Sequence, residues 1–462
     1  MTDIVCHSPV DGRAFARRRI ASDAGIASAI AAARAAQRDW AAQPLQVRID
    51  AVLRMLDALL AGDAEAVPEL AWQMGRPIRY GGEFRGVAER VRHMAGIAHD
   101  ALAPVVPAER PGFTRYVRRD PLGLVLVIAP WNYPYLTAVN TIAPALIAGN
   151  AVLLKHAAQT LLAGERFAAA AAAAGLPDGL FANLVLSHDQ TAGILASSSV
   201  DHCVFTGSVA GGRAIERAAA GTFTSLGLEL GGKDPAYVRE DANLDDAVAN
   251  LVDGACFNSG QSCCGIERIY VHASLYDGFV ERAAAAVAAY VLGDPLDPAT
   301  TLGPMATARG ADHVRAQLSA ARAAGARGLA DPGRFPADTG TGPYLAPQLL
   351  VDVDHRMELM TTETFGPVVG VMKVTDDDEA VRLMNDSPYG LSAAIWTRDA
   401  GAAERIGRQL ETGTVFMNRC DYLDPGLAWT GVKDTGRGAS LSAIGYETLT
   451  RPKSFHLKLA GT

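Results

Sequence analysis

The chain has 462 residues, of which 49% are hydrophobic and 20% charged, and its formal net charge is −8. Such a length exceeds one simple core and implies two or three domains, while the acidic balance gives no footing for nucleic acid or an anionic membrane. No uninterrupted apolar run reaches ~18 residues, six cysteines are too sparse for a disulfide framework, and no H-x-x-x-H or C-x-x-C spacing marks a metal site.

Residues 1–7 lack a basic head and an apolar run, so a cytoplasmic protein is the expectation. The alanine-rich tracts 27–36 and 168–174 are punctuated by charge and predict helices rather than linkers. Residues 49–60 carry apolar side chains at helical spacing. From Leu122 the texture changes. Residues 124–129 form a continuous apolar run, as a strand buried on both faces requires. A helix over 136–148, a strand over 151–155, a helix over 161–174, a strand over 181–186, a short helix over 189–196 and a strand ending at Phe205-Thr206 follow. This alternation predicts a doubly wound, mostly parallel sheet. A second α/β pattern begins after Gly232, with strands at 236–238 and 268–272 and helices over 244–258 and 275–291. The Gly231-Gly232 pair is the expected domain boundary, which would leave a cleft where ligand sites commonly form.

Two segments flank that boundary. Leu228-Glu229-Leu230-Gly231-Gly232-Lys233 presents a carboxylate, and Phe257-Asn258-Ser259-Gly260-Gln261-Ser262-Cys263-Cys264 presents a thiol 34 positions later. A nucleophile and a base for a later water are what covalent chemistry at a carbonyl carbon needs. A lone cysteine is more often a small buried hydrophobe, but this polar, turn-like setting is poor core material. Glu229 could equally be a paired structural ion; burial between two leucines would raise its pKa toward that of a general base. Ala129-Pro130-Trp131-Asn132-Tyr133-Pro134 follows a buried strand and carries a turn signal. Phe205-Thr206-Gly207-Ser208-Val209-Ala210-Gly211-Gly212 joins a strand to a helix, whose N-terminal amides and dipole favour phosphate oxygens.

Together these segments resemble the aldehyde dehydrogenase superfamily, in family order from about Pro9 to about Phe455. Gly260-Gln261-Ser262-Cys263 matches G-Q-x-C, Glu229 to Lys233 match E-L-G-G-K, and Glu363-Thr364-Phe365-Gly366-Pro367 matches E-x-F-G-P. The resemblance implies Cys263 as nucleophile, Asn132 as oxyanion donor and Glu229 as base for a hydrolytic, non-acylating reaction. It implies NAD or NADP as cofactor, held by Trp131, Lys155, Gly207, Ser208, Gly212, Glu363 and Phe365. Many NAD-specific relatives carry a glutamate three residues after the lysine; here Ala158 stands there, so no carboxylate bars a 2′-phosphate. By position Tyr133, Phe257, Leu423 and Trp429 would line the substrate passage. Arg419 could meet an anionic tail or simply be solvated.

The family's C-terminal G-R-E-L-G is replaced by Gly436-Arg437-Gly438-Ala439-Ser440, without its glutamate. The implied architecture is a Rossmann-like doubly wound cofactor domain (1–103 and 122–231), an α/β catalytic domain (232–432) and a small β oligomerisation element (104–121 and 433–462). A homodimer or homotetramer acting on a small-molecule aldehyde is then expected. A cysteine hydrolase would share the thiol and oxyanion donor, yet it would need neither Lys155 nor Glu363. A catalytically silent binding protein would have no need of Cys263, Glu229 and Asn132 together.

Overall fold

The structure, a computed structural model, describes residues 3–459. Its first sheet has six strands in the spatial order Gly436–Arg437, Ser225–Glu229, His202–Thr206, Leu124–Ile128, Ala151–Lys155 and Phe181–Asn183. All neighbours are parallel except Gly436–Arg437, which runs against Ser225–Glu229. Leu124–Ile128 and Ala151–Lys155 are buried at every position, as their unbroken apolar runs require. Strand order reverses at Leu124–Ile128, so a crevice opens at the carboxyl ends of that strand and of His202–Thr206. The helix Pro134–Ala148 packs beneath this crevice and is buried on nearly all sides. Asn140 and Thr141 are its polar interruptions in an apolar environment.

Residues 230–233 pass directly into a second sheet. It has seven strands, in the order Arg327–Gly328, Gln348–Val351, Val368–Val374, Ile266–His272, Asp234–Val238, Ser392–Trp396 and Thr414–Met417. Only Arg327–Gly328 is antiparallel to its neighbour. Each sheet carries its own apolar core. A separate antiparallel ladder joins Phe113–Pro121 to Thr450–Lys458 over nine residue pairs. The residues just before it lie elsewhere: Gly436–Arg437 extends the first sheet, and the helix Ser442–Thr448 packs on Phe84–Ala101 and Pro134–Ala148. Residues 460–462, included in the expected oligomerisation element, lie outside the described residues. No helix among the described residues is long and apolar enough to cross a membrane.

Among the expected helices, that over 275–291 stops at Ala288, and the one leading to the thiol also ends early. The run predicted to reach Asn258 stops at Cys256, because Asn258, Ser259 and Gly260 all take left-handed backbone angles (φ +53°, +56° and +67°). Two of the three are not glycine, so the turn is strained and must be held by its contacts. That turn delivers the thiol.

Candidate active site

The strained turn is held from three sides. Ser259 Oγ donates to the Gly303 carbonyl at 2.8 Å, and Gln261 Nε2 donates to the Asn258 carbonyl at 3.0 Å. Gln261 Oε1 accepts from the Ala306 amide at 2.8 Å. At Gly260 a Cβ would lie 2.2 Å from the Gly366 carbonyl carbon, so only glycine fits. Beyond the turn the two thiols part. Cys264 is buried and donates to Asp421 Oδ1 at 3.0 Å, an oxygen that also accepts from Ser262 Oγ at 2.8 Å. Contact with Cys263, then burial, pushes the Cys264 thiol well above its ordinary range. Cys263 is only half-buried. It is the accessible thiol of the pair.

Asn132 faces the same turn. Its Nδ2 donates to the Gln261 carbonyl at 3.1 Å, which leaves its second N–H for another acceptor. Its own carbonyl accepts from Arg76 Nη2 (2.6 Å) and Asn258 Nδ2 (3.1 Å). Arg76 also donates through Nε to Asn258 Oδ1 at 3.2 Å and pairs with Glu83 at 2.6 Å. Glu83 in turn accepts the Tyr135 and Leu136 amides at 2.8 and 2.7 Å, at the N-terminus of the buried helix where a carboxylate is favoured. One buried ion pair thus clamps the amide loop to the thiol turn. Arg76→Met, which strands the Glu83 charge, should cost about 3–5 kcal/mol by denaturant melting.

Glu229 ends the strand Ser225–Glu229. Its Oε1 accepts from Ser440 Oγ at 2.6 Å and its Oε2 from Thr206 Oγ1 at 3.3 Å. Burial raises its pKa above the usual carboxylate range, and those two hydrogen bonds and the Arg90 charge pull it partly back. Arg90, on Phe84–Ala101, is itself buried and donates through Nη1 to the Leu136 carbonyl (2.8 Å) and Asn140 Oδ1 (3.0 Å). Among the described residues no carboxylate pairs with it directly; Glu83, Cys264, Glu229 and Cys263 feel its charge.

Cys263 and Glu229 open on one cavity of about 360 Å³. Tyr133, Phe257, Leu423 and Trp429 all line it, as do Arg90 and Asp421. Arg419 does not: it is exposed and stacks on the Tyr422 ring at 3.4 Å.

The residues expected around a dinucleotide collect along the carboxyl edge of the first sheet. Trp131 meets Phe365 edge-on, ring centroids 5.6 Å apart. Phe365 has φ +51°, and the amides of Thr364 and Phe365 each donate to Glu267 at 2.8 Å; Glu267 is paired to the buried Lys233 at 2.6 Å. Glu363 accepts from the Gly232 amide at 3.1 Å, and burial followed by the Glu267 charge pushes its pKa up to about 8. Lys155 is buried at the end of its strand with no hydrogen bond or ion pair among the described residues, and burial lowers its pKa. Gly207 donates its amide to the Glu229 carbonyl at 3.0 Å. Ser208 caps the helix Val209–Ala219 through the Gly211 amide. Gly212 lies against Leu230, whose Cδ2 would be 2.6 Å from a Cβ there. Ala158 opens a short 3₁₀ turn. An unpaired buried ammonium and a helix N-terminus at the same edge of the sheet fit a dinucleotide.

Arg76, Glu83, Arg90 and Glu267 went unnoticed in the sequence, and Ser440 was seen only as part of the 436–440 segment. Arg90 alone left a signal, sitting in the apolar stripe of Val87, Val91 and Met94. No group of three or more metal-ligating side chains occurs among the described residues.

The model of the aldehyde dehydrogenase family matches residues 1–455. A geranial dehydrogenase from Castellaniella defragrans is 36% identical, covering 93% of this chain and 90% of that protein. An NADP-dependent succinate-semialdehyde dehydrogenase from Mycolicibacterium paratuberculosis is 34% identical, covering 97% and 95%. An indole-3-acetaldehyde dehydrogenase solved with NAD is 31% identical, with a TM-score of 0.94 over 99% of this chain and 93% of that one. With accessible thiol, clamped amide and half-buried carboxylate gathered at the sheet crevice, the chain belongs to the aldehyde dehydrogenase family.

Proposed function

We propose that this enzyme oxidises an aldehyde to the carboxylic acid through a covalent thioester on Cys263, with NAD or NADP as cofactor. The observation that carries the reading is the shared cavity: a half-buried thiol and a half-buried carboxylate face one space, with the Asn132 amide against the thiol turn. Trp131, Lys155, Gly207, Ser208, Gly212, Glu363 and Phe365 would hold the cofactor, and Ala158 leaves the 2′ position of its ribose open to phosphate or hydroxyl. When bound, the nicotinamide supplies the hydride acceptor.

The chain's own groups do the rest. Cys263 Sγ attacks the carbonyl carbon, and the free N–H of Asn132 with the Cys263 backbone amide holds the developing oxyanion. Collapse of the oxidised adduct leaves an acyl group on sulfur. Glu229 then takes a proton from water, the hydroxide adds to the acyl carbon, and the thiolate leaves. Tyr133, Phe257 and Trp429 would give the passage an apolar, partly aromatic wall. The Phe113–Pro121 and Thr450–Lys458 ladder is the proposed oligomerisation element of a homodimer or homotetramer, with cofactor and catalytic domains divided near Gly231-Gly232. A cytoplasmic setting suits free thiols.

Mass spectrometry after quenching a reaction with aldehyde and oxidised cofactor tests the reading: an acyl adduct is expected on the peptide holding Cys263. No adduct, with substrate consumed, would refute it. Asn132→Ala should lower kcat by about 10²–10³-fold, the usual loss of one oxyanion donor, with a smaller change in KM.

A further inference from the structure

A second, smaller cavity of about 50 Å³ shares Glu229 and Asn140 with the aldehyde cavity. It follows one face of the first sheet. Ser225, Gly227 and Glu229 share that face by strand alternation, and they pair in register with His202, Val204 and Thr206 on the neighbouring strand. Because Gly227 has no side chain, the space between His202 and Glu229 stays open, and Ser440 covers one end of it. Each ordered water needs roughly 10–15 Å³ of such space, so a short file of waters fits.

Two buried polar atoms at this cavity have no partner among the described residues: Asn140 Nδ2 and His202 Nε2. Both side chains are more than nine-tenths buried, at 2% and 4% exposure. Their hydrogen bonds fix their roles. Arg90 donates to Asn140 Oδ1, so the orphaned end of Asn140 is a donor. Ser225 Oγ donates to the Asp201 carbonyl and lies 2.7 Å from His202 Nδ1, so the imidazole donates there and keeps its Nε2 lone pair as an acceptor. Ser225 is exposed. Asn140 reaches the cavity from the helix Pro134–Ala148, His202 reaches it from the sheet, and Ser225 joins it to the surface through its contact with His202. An orphaned donor and acceptor in a space sized for water call for water between them.

We propose that this cavity holds a water file carrying the proton that Glu229 takes from the hydrolytic water to solvent at Ser225, with Asn140 and His202 positioning the file. This rests on Glu229 being the base. The steps balance: the hydrolytic water gives its proton to Glu229 and its hydroxide to the acyl carbon, and Cys263 leaves as thiolate. Glu229 then hands that proton to the first water, and one proton emerges at the surface. The charged or titratable groups facing this route are Arg90, Arg437 and His202. Without a glutamate in the 436–440 segment, the file gives the base a way to reset.

Gly227→Val tests it. A Cβ at 227 would meet Val204 Cγ2 at 3.5 Å and His202 Nε2 at 3.7 Å, ordinary contacts, so the first side-chain carbon is accommodated and the valine branches take up space in the cavity. The acyl-enzyme is formed in a quenched mixture and its decay followed by mass spectrometry. Expected are normal acylation and a decay at least about tenfold slower, part of the ~10²–10⁴ that base catalysis supplies. The solvent deuterium isotope effect on decay should also lose its multi-proton curvature. His202→Leu should act likewise and His202→Gln should restore part of the rate. Unchanged decay in Gly227→Val with normal acylation overturns the route. Glu229→Gln separates the two ideas: if that variant also decays normally, the base assignment has failed; if it stalls while Gly227→Val does not, only the file has failed.

Discussion

Cys263→Ala should lower aldehyde oxidation by about 10⁴-fold or more while leaving cofactor affinity unchanged, as titrated by fluorescence. Losses of that order accompany removal of a covalent nucleophile whose partners stay in place. The substitution leaves the surrounding turn intact, because its left-handed residues are held by Gly303, Asn258, Ala306 and Arg76 rather than by the thiol. Cys264 cannot stand in. Its thiol is buried against Asp421, and its raised pKa keeps the thiolate scarce. Turnover surviving in Cys263→Ala would therefore move the nucleophile and end the thioester account.

Glu229→Gln should arrest the enzyme after acylation. Rapid mixing would show a burst of at most one equivalent of reduced cofactor per site, then a steady state about 10²–10⁴-fold below normal. Glutamine keeps the size of the side chain, its oxygen can accept from one of the Ser440 and Thr206 hydroxyls and its amide can donate to the other, so the loss reports chemistry rather than packing. The pH dependence has a defined sign. The base works ionised, and burial has raised its pKa, so deacylation falls as pH drops through a value above the ordinary carboxylate range. That inflection should vanish in Glu229→Gln. A normal steady state in the variant would remove Glu229 from the mechanism.

The loops that carry chemistry were legible in the sequence because they sit where strands end, and strand ends announce themselves through glycine, proline and short polar runs. Glu229, Asn132, Lys155 and Ser208 all fall at the carboxyl edge of one parallel sheet, which the alternation of apolar runs and helices predicted. The supports of those loops were not legible. Arg76 and Glu83 look like solvated charges, since nothing local tells that an arginine after Gly75 reaches Asn258 and Asn132 from far along the chain. The early stop of the helix at Cys256 was hidden for a related reason: apolar periodicity continues through Phe257, while tertiary contacts impose the left-handed turn. Ser440 was read as part of a departure from the family, and only the strand pairing of Gly436 with Glu229 brings it onto the carboxylate.

The clamp of Arg76 and Glu83 also bears on how the enzyme comes into being. It ties the first hundred residues to the thiol turn, while one of the two hydroxyl donors to the base arrives only at residue 440. A polypeptide ending before residue 440 would therefore keep the residues that hold the thiol turn and lack one of the hydroxyl donors to the carboxylate.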